Sequence, residues 1–109
     1  MKYQIIYSET AKNDLKNIYR YIYNELCEPQ IAAKQVQRII NEIRSLDEMP
    51  SRHKIYDTEP WHSQGLRTFS VNNYLVFYFV DEINGTVKIV RIMYGGRDIK
   101  TLLSKTDLG

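Results

Sequence analysis

Residues 65–98, GLRTFSVNNYLVFYFVDEINGTVKIVRIMYGGRD, decide the fold of this 109-residue chain. The segment contains three runs in which β-branched and aromatic residues dominate, a composition that is typical of β-strands. Asn72-Asn73 follows the first run and Asn84-Gly85 follows the second, and these residue types tolerate the positive φ of tight connections. The segment therefore predicts a three-stranded antiparallel meander.

The end of this meander is basic and carries a tyrosine. Arg67 begins the first predicted strand, Arg91 and Tyr94 lie near the end of the last, and Arg97 follows it. On one face of the sheet these side chains would form a single cationic site, and guanidinium groups suit phosphate because they donate two hydrogen bonds at once. Strict alternation instead places Arg91 and Tyr94 on opposite faces, which leaves a purely structural role open for each arginine.

The first half of the chain predicts a strand followed by two helices. Residues 3–7 form a short β-type run, and Ser8 is a suitable N-cap for a helix over residues 9–25. Pro29 is suited to the first position of a second helix, which runs to about residue 47 and is stopped by Met49-Pro50. Each helix has an apolar stripe, formed by Ala11, Leu15, Ile18, Ile22 and Leu26 in the first and by Ile31, Ala32, Val36, Ile39, Ile40, Ile43 and Leu46 in the second. We expect an antiparallel helical hairpin packed on the meander.

Two further segments complete the predicted organisation. Residues 50–64 form a long irregular loop with both histidines and the only tryptophan, and such loops tend to be functional or mobile. Trp61 and His53 are expected to pack within this loop. Ile99, Leu102 and Leu103 have helical spacing and predict a short C-terminal helix or turn. The predicted fold class is α+β, as a single domain over residues 1–109.

Composition excludes several kinds of protein. Cys27 is the only cysteine, so an intramolecular disulfide is impossible, and we expect this residue to pack as a small hydrophobe. No apolar run reaches the roughly 18 residues of a membrane span, and the N-terminus does not resemble a signal peptide, which predicts a cytoplasmic protein. No zinc or calcium spacing and no phosphate-binding glycine loop occurs, so no cofactor is expected.

The order of elements and their sequences together resemble a known family. The matching segments are YSETA at 7–11, MP at 49–50, GLR at 65–67, VNNYLVFY at 71–78 and VRIMYGGRD at 90–98. In order and spacing they are similar to the RelE/ParE superfamily of bacterial type II toxin–antitoxin toxins, over nearly the whole chain. The resemblance implies an antiparallel sheet that carries a helical hairpin, a toxin that inhibits growth, and a cognate antitoxin that forms a hetero-oligomer with it.

This superfamily contains two mechanisms. RelE-like members cut mRNA in the ribosomal A site, whereas ParE-like members lack the catalytic residues and poison DNA gyrase. Metal-independent RNA cleavage needs a base, positive charge for the pentavalent phosphate and an acid. For a ribonuclease, the resemblance implies a catalytic set and a group of RNA contacts. The catalytic set is Arg67, Arg91, Tyr94 and Arg97, and the RNA contacts are Arg52, His53 and Lys54.

The residues favour neither mechanism decisively. A ribosome-dependent mRNA endoribonuclease is the first hypothesis, because the arginine cluster has a chemical rationale. A non-enzymatic gyrase inhibitor is the alternative, because the net charge of +2 is small for a ribosome-binding protein and the last segment looks ParE-like. A degenerate toxin that keeps only antitoxin binding is the third. For the antitoxin interface we expect Tyr19, Tyr21 and Tyr23, since aromatic residues are over-represented at interfaces.

Overall fold

The computed structural model describes residues 2–107 and has an α+β architecture. Its principal elements are β1 (Gln4–Tyr7), α1 (Glu9–Arg20), α2 (Pro29–Arg44), α3 (Trp61–Gln64), β2 (Arg67–Val71), β3 (Tyr74–Asp81), β4 (Thr86–Tyr94) and α4 (Ile99–Ser104). A π-helical turn continues α1 over Tyr21–Glu25, and single 3₁₀ turns occupy Ser45–Asp47 and Pro50–Arg52. The predicted order of strand, hairpin, meander and short terminal helix is confirmed.

The four strands form one sheet in the order β1-β4-β3-β2. Strands β2, β3 and β4 are the predicted antiparallel meander, whereas β1 pairs with β4 in parallel and places β4 in the interior of the sheet. Asn72 and Gly85 have φ values of 54° and 66°, which confirms the expected tight connections. A bulge in β4 leaves Val90 without a partner, because Phe77 is opposite Arg91 and Tyr78 is opposite Ile89.

Apolar residues cover both faces of this sheet. On one face the helical hairpin α1–α2 packs on the strands. The fully buried residues of this core include Ile39 and Ile43 of α2, Tyr78 of β3 and Ile89 of β4. On the other face a second core contains Trp61, Leu66, Phe77, Val90, Met93 and Leu103. The hairpin therefore packs on the meander as predicted, and the residues around α3 and α4 seal the reverse side.

The predicted helix starts are confirmed. Ser8 is the N-cap of α1, and its Oγ accepts a hydrogen bond of 3.0 Å from the amide of Ala11. Pro29 lies in the first turn of α2. The first helix departs from regular α geometry at Tyr21, and the amide of Leu26 then donates to the carbonyl of Tyr21 with the longer π-helical spacing.

Three residues near this junction were predicted to be buried and are not. Leu26 and Ile31 were assigned to the apolar stripes, yet each is 53% exposed. The π turn adds one residue to the last turn of the first helix, so Leu26 rotates off the core-facing stripe. Cys27 was expected to pack as a hydrophobe but is exposed, in a left-handed conformation with φ 53° that joins the two helices.

The segment 50–64 is more ordered than a structureless loop. It contains the 3₁₀ turn Pro50–Arg52, a bridge between Ile55 and Arg67, and the short helix α3. Trp61 is buried in the second core, which confirms its expected packing role. Between residues 2 and 107, every helix is too short or too polar to cross a membrane.

Candidate functional site

Arg91 is held by a nearly buried carboxylate. Its Nε and Nη2 donate to the two oxygens of Asp14 at 2.8 and 3.0 Å, and its Nη1 donates to Oγ1 of Thr106 at 2.9 Å. The side chains of Arg91 and Asp14 are only 12% and 10% exposed. This two-pronged geometry is the strongest form of an arginine–carboxylate pair.

The ion pair forms where β4 loses its parallel neighbour. Strand β1 ends at Tyr7, so the outer edge of β4 beyond Ile89 has no strand beside it. Oγ of Ser8 donates to the carbonyl of Val90 at 3.2 Å, and Oδ2 of Asp14 accepts from the amide of Ile92 at 2.8 Å. The start of α1 thus satisfies the open edge of β4, and Asp14 joins the helix to the sheet.

Arg67 lies at the other end of the sheet from Tyr94. In register, Arg67 is opposite Tyr78, whereas Tyr94 is opposite Tyr74 and Tyr74 is opposite Val71. Arg67 and Val71 are the two ends of β2, so about 13 Å of strand separates the two positions. Nη1 of Arg67 donates to the carbonyl of His53 at 2.6 Å. The structure therefore does not bring Arg67 to Tyr94.

The loop residues near Arg67 pack against the sheet. The His53 ring stacks on Phe69 with a centroid distance of 4.4 Å and meets Tyr78 edge-on at 6.3 Å, as its expected packing role requires. Burial, with a smaller contribution from the positive charge of Arg52, lowers the pKa of His53 below its ordinary value. The hydroxyl of Tyr78 donates to the carbonyl of Pro50 at 2.6 Å, and burial raises the pKa of Tyr78 to about 12 despite the nearby Arg67 and Arg52.

The side chains of the other two proposed RNA contacts, Arg52 and Lys54, differ in the hydrogen bonds that they form. Arg52 donates from Nη1 to the carbonyls of Ser45, Glu48 and Met49 and from Nη2 to Oγ of Ser45, so it closes the C-terminal end of the second helix. Lys54 is exposed, and its carbonyl accepts from the amide of Thr68. Arg52 and Lys54 are both exposed, whereas His53 is half-buried, and the guanidinium of Arg52 is already engaged in these hydrogen bonds.

Tyr94 and Arg97, by contrast, line one surface depression. It has a volume of about 740 Å³ and lies between the helical hairpin and the adjoining ends of β3 and β4. We call it the tyrosine cleft, and its lining residues include Tyr21, Leu26, Ile31, Tyr74, Tyr94 and Arg97. Arg91 is absent from this lining, because it shares the sheet face of its partner Phe77 in the second core.

The backbone after β4 is shaped to admit the Tyr94 ring. A Cβ on Gly96 would lie 2.7 Å from Cε2 of Tyr94, so only glycine allows the ring this position. The rings of Tyr74 and Tyr94 meet edge-to-face at 5.8 Å, and burial raises the pKa of Tyr74, with smaller contributions from Tyr94 and Tyr21. Tyr74 therefore stays protonated at neutral pH.

The three tyrosines predicted to contact the antitoxin do not lie together. Tyr21 lines the tyrosine cleft, and its side chain is largely in solvent. Tyr19 stacks on Tyr23 at 5.8 Å and lines a second cleft of about 500 Å³ between α1 and α2. We call this second depression the lysine cleft, and it is lined by Tyr7, Lys12, Leu15, Lys16, Tyr19, Arg20, Val36 and Ile40.

The sequence analysis did not identify Asp14, the residue that holds Arg91 in place. Asp14 stands three residues after Ala11 and four before Ile18, so it lies on the core-facing stripe of α1. A carboxylate on such a stripe needs a buried cationic partner, and this signal was present in the sequence. Among the residues described, no group of three or more His, Cys, Asp or Glu could hold a metal ion.

Comparisons with known proteins agree with this architecture. A family model described as the ParE toxin of the type II toxin–antitoxin system parDE matches residues 5–99. The fold is similar to that in the structure of the chromosomal ParDE system from P. aeruginosa, with 23% identity, a TM-score of 0.70 and coverage of 85% of this chain and 96% of that chain. A mutant of E. coli toxin RelE in the free state gives 11% identity, a TM-score of 0.65 and coverage of 97% and 95%.

A third structure is the RelBE2 toxin–antitoxin complex from Mycobacterium tuberculosis, with 22% identity, a TM-score of 0.62 and coverage of 86% of this chain and 92% of that chain. No curated protein sequence matches the chain significantly. The structural similarities establish the RelE/ParE fold, and the family model covers most of the sequence. The chain belongs to the ParE toxin family of type II toxin–antitoxin systems, within the RelE/ParE superfamily.

Proposed function

We propose that this toxin inhibits growth by binding DNA gyrase in the cytoplasm, without chemistry of its own, and that a cognate antitoxin neutralises it. The observation that carries the proposal is the engagement of Arg91. All three of its guanidinium nitrogens donate hydrogen bonds within the protein, two of the nitrogens to Asp14. Three of its five N–H groups are therefore occupied, the side-on Nε/Nη2 pair is taken by a carboxylate, and the side chain is only 12% exposed, which leaves Arg91 poorly placed to bind a phosphate.

Releasing Arg91 toward a substrate would be costly. Asp14 would then be a nearly buried carboxylate without its cation, and breaking such a pair costs about 3–5 kcal/mol. Arg67 does not replace it, because Arg67 lies at the opposite end of β2 from the tyrosine cleft. The four residues of the expected catalytic set thus do not converge, and this supports the ParE-like alternative over the ribonuclease.

The ribonuclease remains the second candidate for one specific reason. Tyr94 and Arg97 both line the tyrosine cleft, and Tyr94 is 48% exposed. Together they would supply a proton donor and one positive charge for a bound phosphate. Arg97 would then act as the phosphate contact and Tyr94 as the acid, with no second cation from Arg91.

The proposal includes an antitoxin and a hetero-oligomer formed with it. The related structures include complexes of toxins with their antitoxins. On this chain, Tyr21, Leu26 and Ile31 are largely exposed on the wall of the tyrosine cleft. Exposed apolar groups of this size on one surface favour a protein partner.

Expression of the chain alone in bacteria tests the proposal. We expect growth arrest with intact translated mRNA by primer extension, and the same arrest with Tyr94→Phe. Tyr23→Phe is the matched control, because Tyr23 is also exposed but lies outside the tyrosine cleft. Cuts in translated mRNA that disappear in Tyr94→Phe and persist in Tyr23→Phe would establish the ribonuclease. Normal growth at confirmed expression would contradict both candidates.

A further inference from the structure

The tyrosine cleft has two walls, and each exposes large apolar groups. The wall from the helical hairpin carries Tyr21, Leu26 and Ile31, and each of these side chains is more than half exposed. The wall from the sheet carries Tyr94, which is about half exposed. Apolar groups of this size on one surface of a soluble protein mark a site that a partner covers.

The two walls end in groups of opposite charge. Arg97 is exposed on the sheet wall, just after β4. Glu25 precedes Leu26 and Glu28 follows it by two positions, so both exposed carboxylates flank the hairpin wall. The amide of Glu28 donates to the carbonyl of Ile22, another residue of this wall, at 3.2 Å. Within residues 2–107, these three charged side chains form no ion pair.

We propose that the tyrosine cleft is the interface of a two-fold symmetric dimer, formed by two copies of the toxin in the absence of its antitoxin. In such a dimer the same surface patch of both copies meets. With the two-fold axis parallel to the cleft, the sheet wall of each copy faces the hairpin wall of the other. Arg97 of each copy then lies opposite Glu28 of the other, and two equivalent ion pairs flank an apolar centre.

Charge complementarity carries the choice of a second copy as the occupant. The surface presents both a free cation, Arg97, and the carboxylates that match it, so it is complementary to itself. Tyr21 and Tyr94 would lie at the centre and the charged groups at the rim, which is the usual distribution at protein interfaces. The net charge of +2 is small, so two copies repel each other little.

This inference goes beyond the proposed function, because it concerns the free toxin and requires neither gyrase nor the ribosome. An antitoxin that contacts Tyr21 would have to displace the second copy. The dimer therefore describes what covers the tyrosine cleft before the antitoxin arrives. Sedimentation equilibrium of purified toxin without antitoxin tests it, and we expect a monomer–dimer equilibrium with a dissociation constant in the micromolar range or tighter.

Charge reversal tests the predicted ion pairs. Arg97→Glu and Glu28→Arg should each weaken the dimer about tenfold or more, because each places like charges opposite one another at both equivalent contacts. The double variant Arg97→Glu with Glu28→Arg exchanges the two charges and should restore affinity to within about threefold of wild type. The side chain of Glu28 forms no capping hydrogen bond with α2, so its replacement removes none.

The matched controls reverse charge elsewhere on the surface. Arg38→Glu and Glu82→Arg make the same changes at exposed positions outside the lining of the tyrosine cleft, and dimer affinity should stay within about twofold of wild type. Thermal denaturation of every variant checks that the fold is kept. A dimer that the single variants do not weaken, or that the double variant does not restore, would overturn the inference.

An uncharged variant tests the apolar centre independently. Leu26→Gln removes an exposed apolar group from the hairpin wall and should weaken the dimer about tenfold, whereas Ile83→Gln, in an exposed turn outside the cleft, should not. A wild-type chain that stays monomeric at every concentration would contradict the inference. Growth arrest and gyrase inhibition do not enter these measurements, so failure of the proposed function would leave their result unchanged.

Discussion

The carboxylate of Asp14 accepts two hydrogen bonds from the guanidinium of Arg91, 77 positions later in the chain. The same carboxylate accepts from the amide of the next residue, Ile92. One side chain of α1 thereby secures the bulged edge of β4 and removes Arg91 from any surface site. This relationship links the stability of the fold to the choice between the two mechanisms.

Removing the carboxylate should destabilise the protein strongly. In Asp14→Ala, Arg91 stays nearly buried without its partner, and we expect the free energy of unfolding to fall by about 3 kcal/mol or more. Urea denaturation of purified protein measures this change. Glu9→Ala is the control, because its pair with Lys12 is exposed and should contribute less than about 1 kcal/mol. Equal losses in the two variants would show that the Asp14 pair is not structural.

The Tyr78 hydroxyl should make stability sensitive to alkaline pH. Because burial raises the pKa of Tyr78 to about 12 from 10.0, the folded state favours the protonated phenol. This contribution is complete below pH 10 and is lost as the pH rises through about 12. Denaturation between pH 9 and 12 should show a steeper loss for wild type than for Tyr78→Phe. Parallel curves for the two proteins would contradict the raised pKa. At neutral pH the free energy of unfolding of Tyr78→Phe should be about 1 kcal/mol lower, because the variant lacks the hydrogen bond to the carbonyl of Pro50.

Tyr21 should matter more for antitoxin binding than for folding. It is 55% exposed on the wall of the tyrosine cleft, so Tyr21→Ala should change the free energy of unfolding by less than about 0.5 kcal/mol. The free energy of antitoxin binding should weaken by about 2 kcal/mol in this variant, as calorimetry would measure, because aromatic anchors contribute amounts of this size at interfaces. Ile83→Ala is the control, because Ile83 is fully exposed in a distant turn. A large loss of stability with unchanged affinity would make Tyr21 a core residue.

Arg67 should contribute to folding and not to toxicity. Arg67→Ala removes one hydrogen bond to the carbonyl of His53 and should cost about 1–2 kcal/mol of stability. At matched soluble expression the variant should still arrest growth. Loss of arrest with an unchanged melting temperature would contradict a purely structural role, and loss of mRNA cuts in the same variant would favour the ribonuclease.

Much of the fold could be predicted because its signals are local. The hydroxyl of Ser8, the ring of Pro29 and the positive φ of Asn72 each act within a few residues, and all three predictions are confirmed. The parallel pairing of β1 with β4 joins residues about 80 positions apart, and no local pattern specifies it. The π turn after Arg20 was also unforeseen, since it depends on how the hairpin packs.

The candidate site was harder to predict for the same reason. The sequence indicated Arg67, Arg91, Tyr94 and Arg97 as candidates, but it did not specify how far apart they lie or which sheet face each occupies. The bulge at Val90 and the register of β2 decide which of them share a surface, and both depend on long-range pairing. Alternation did predict correctly that Arg91 and Tyr94 lie on opposite sides of the sheet. The roles of all four residues remain predictions.

Supercoiling of relaxed plasmid by purified DNA gyrase tests the central claim most directly. We expect the purified wild-type chain to block supercoiling and Tyr94→Phe to block it equally well. Asp14→Ala should lose inhibition in proportion to its unfolded fraction. Heat-unfolded protein is the control. Uninhibited supercoiling by folded wild-type protein, under conditions in which the same preparation cleaves ribosome-bound mRNA, would contradict the account.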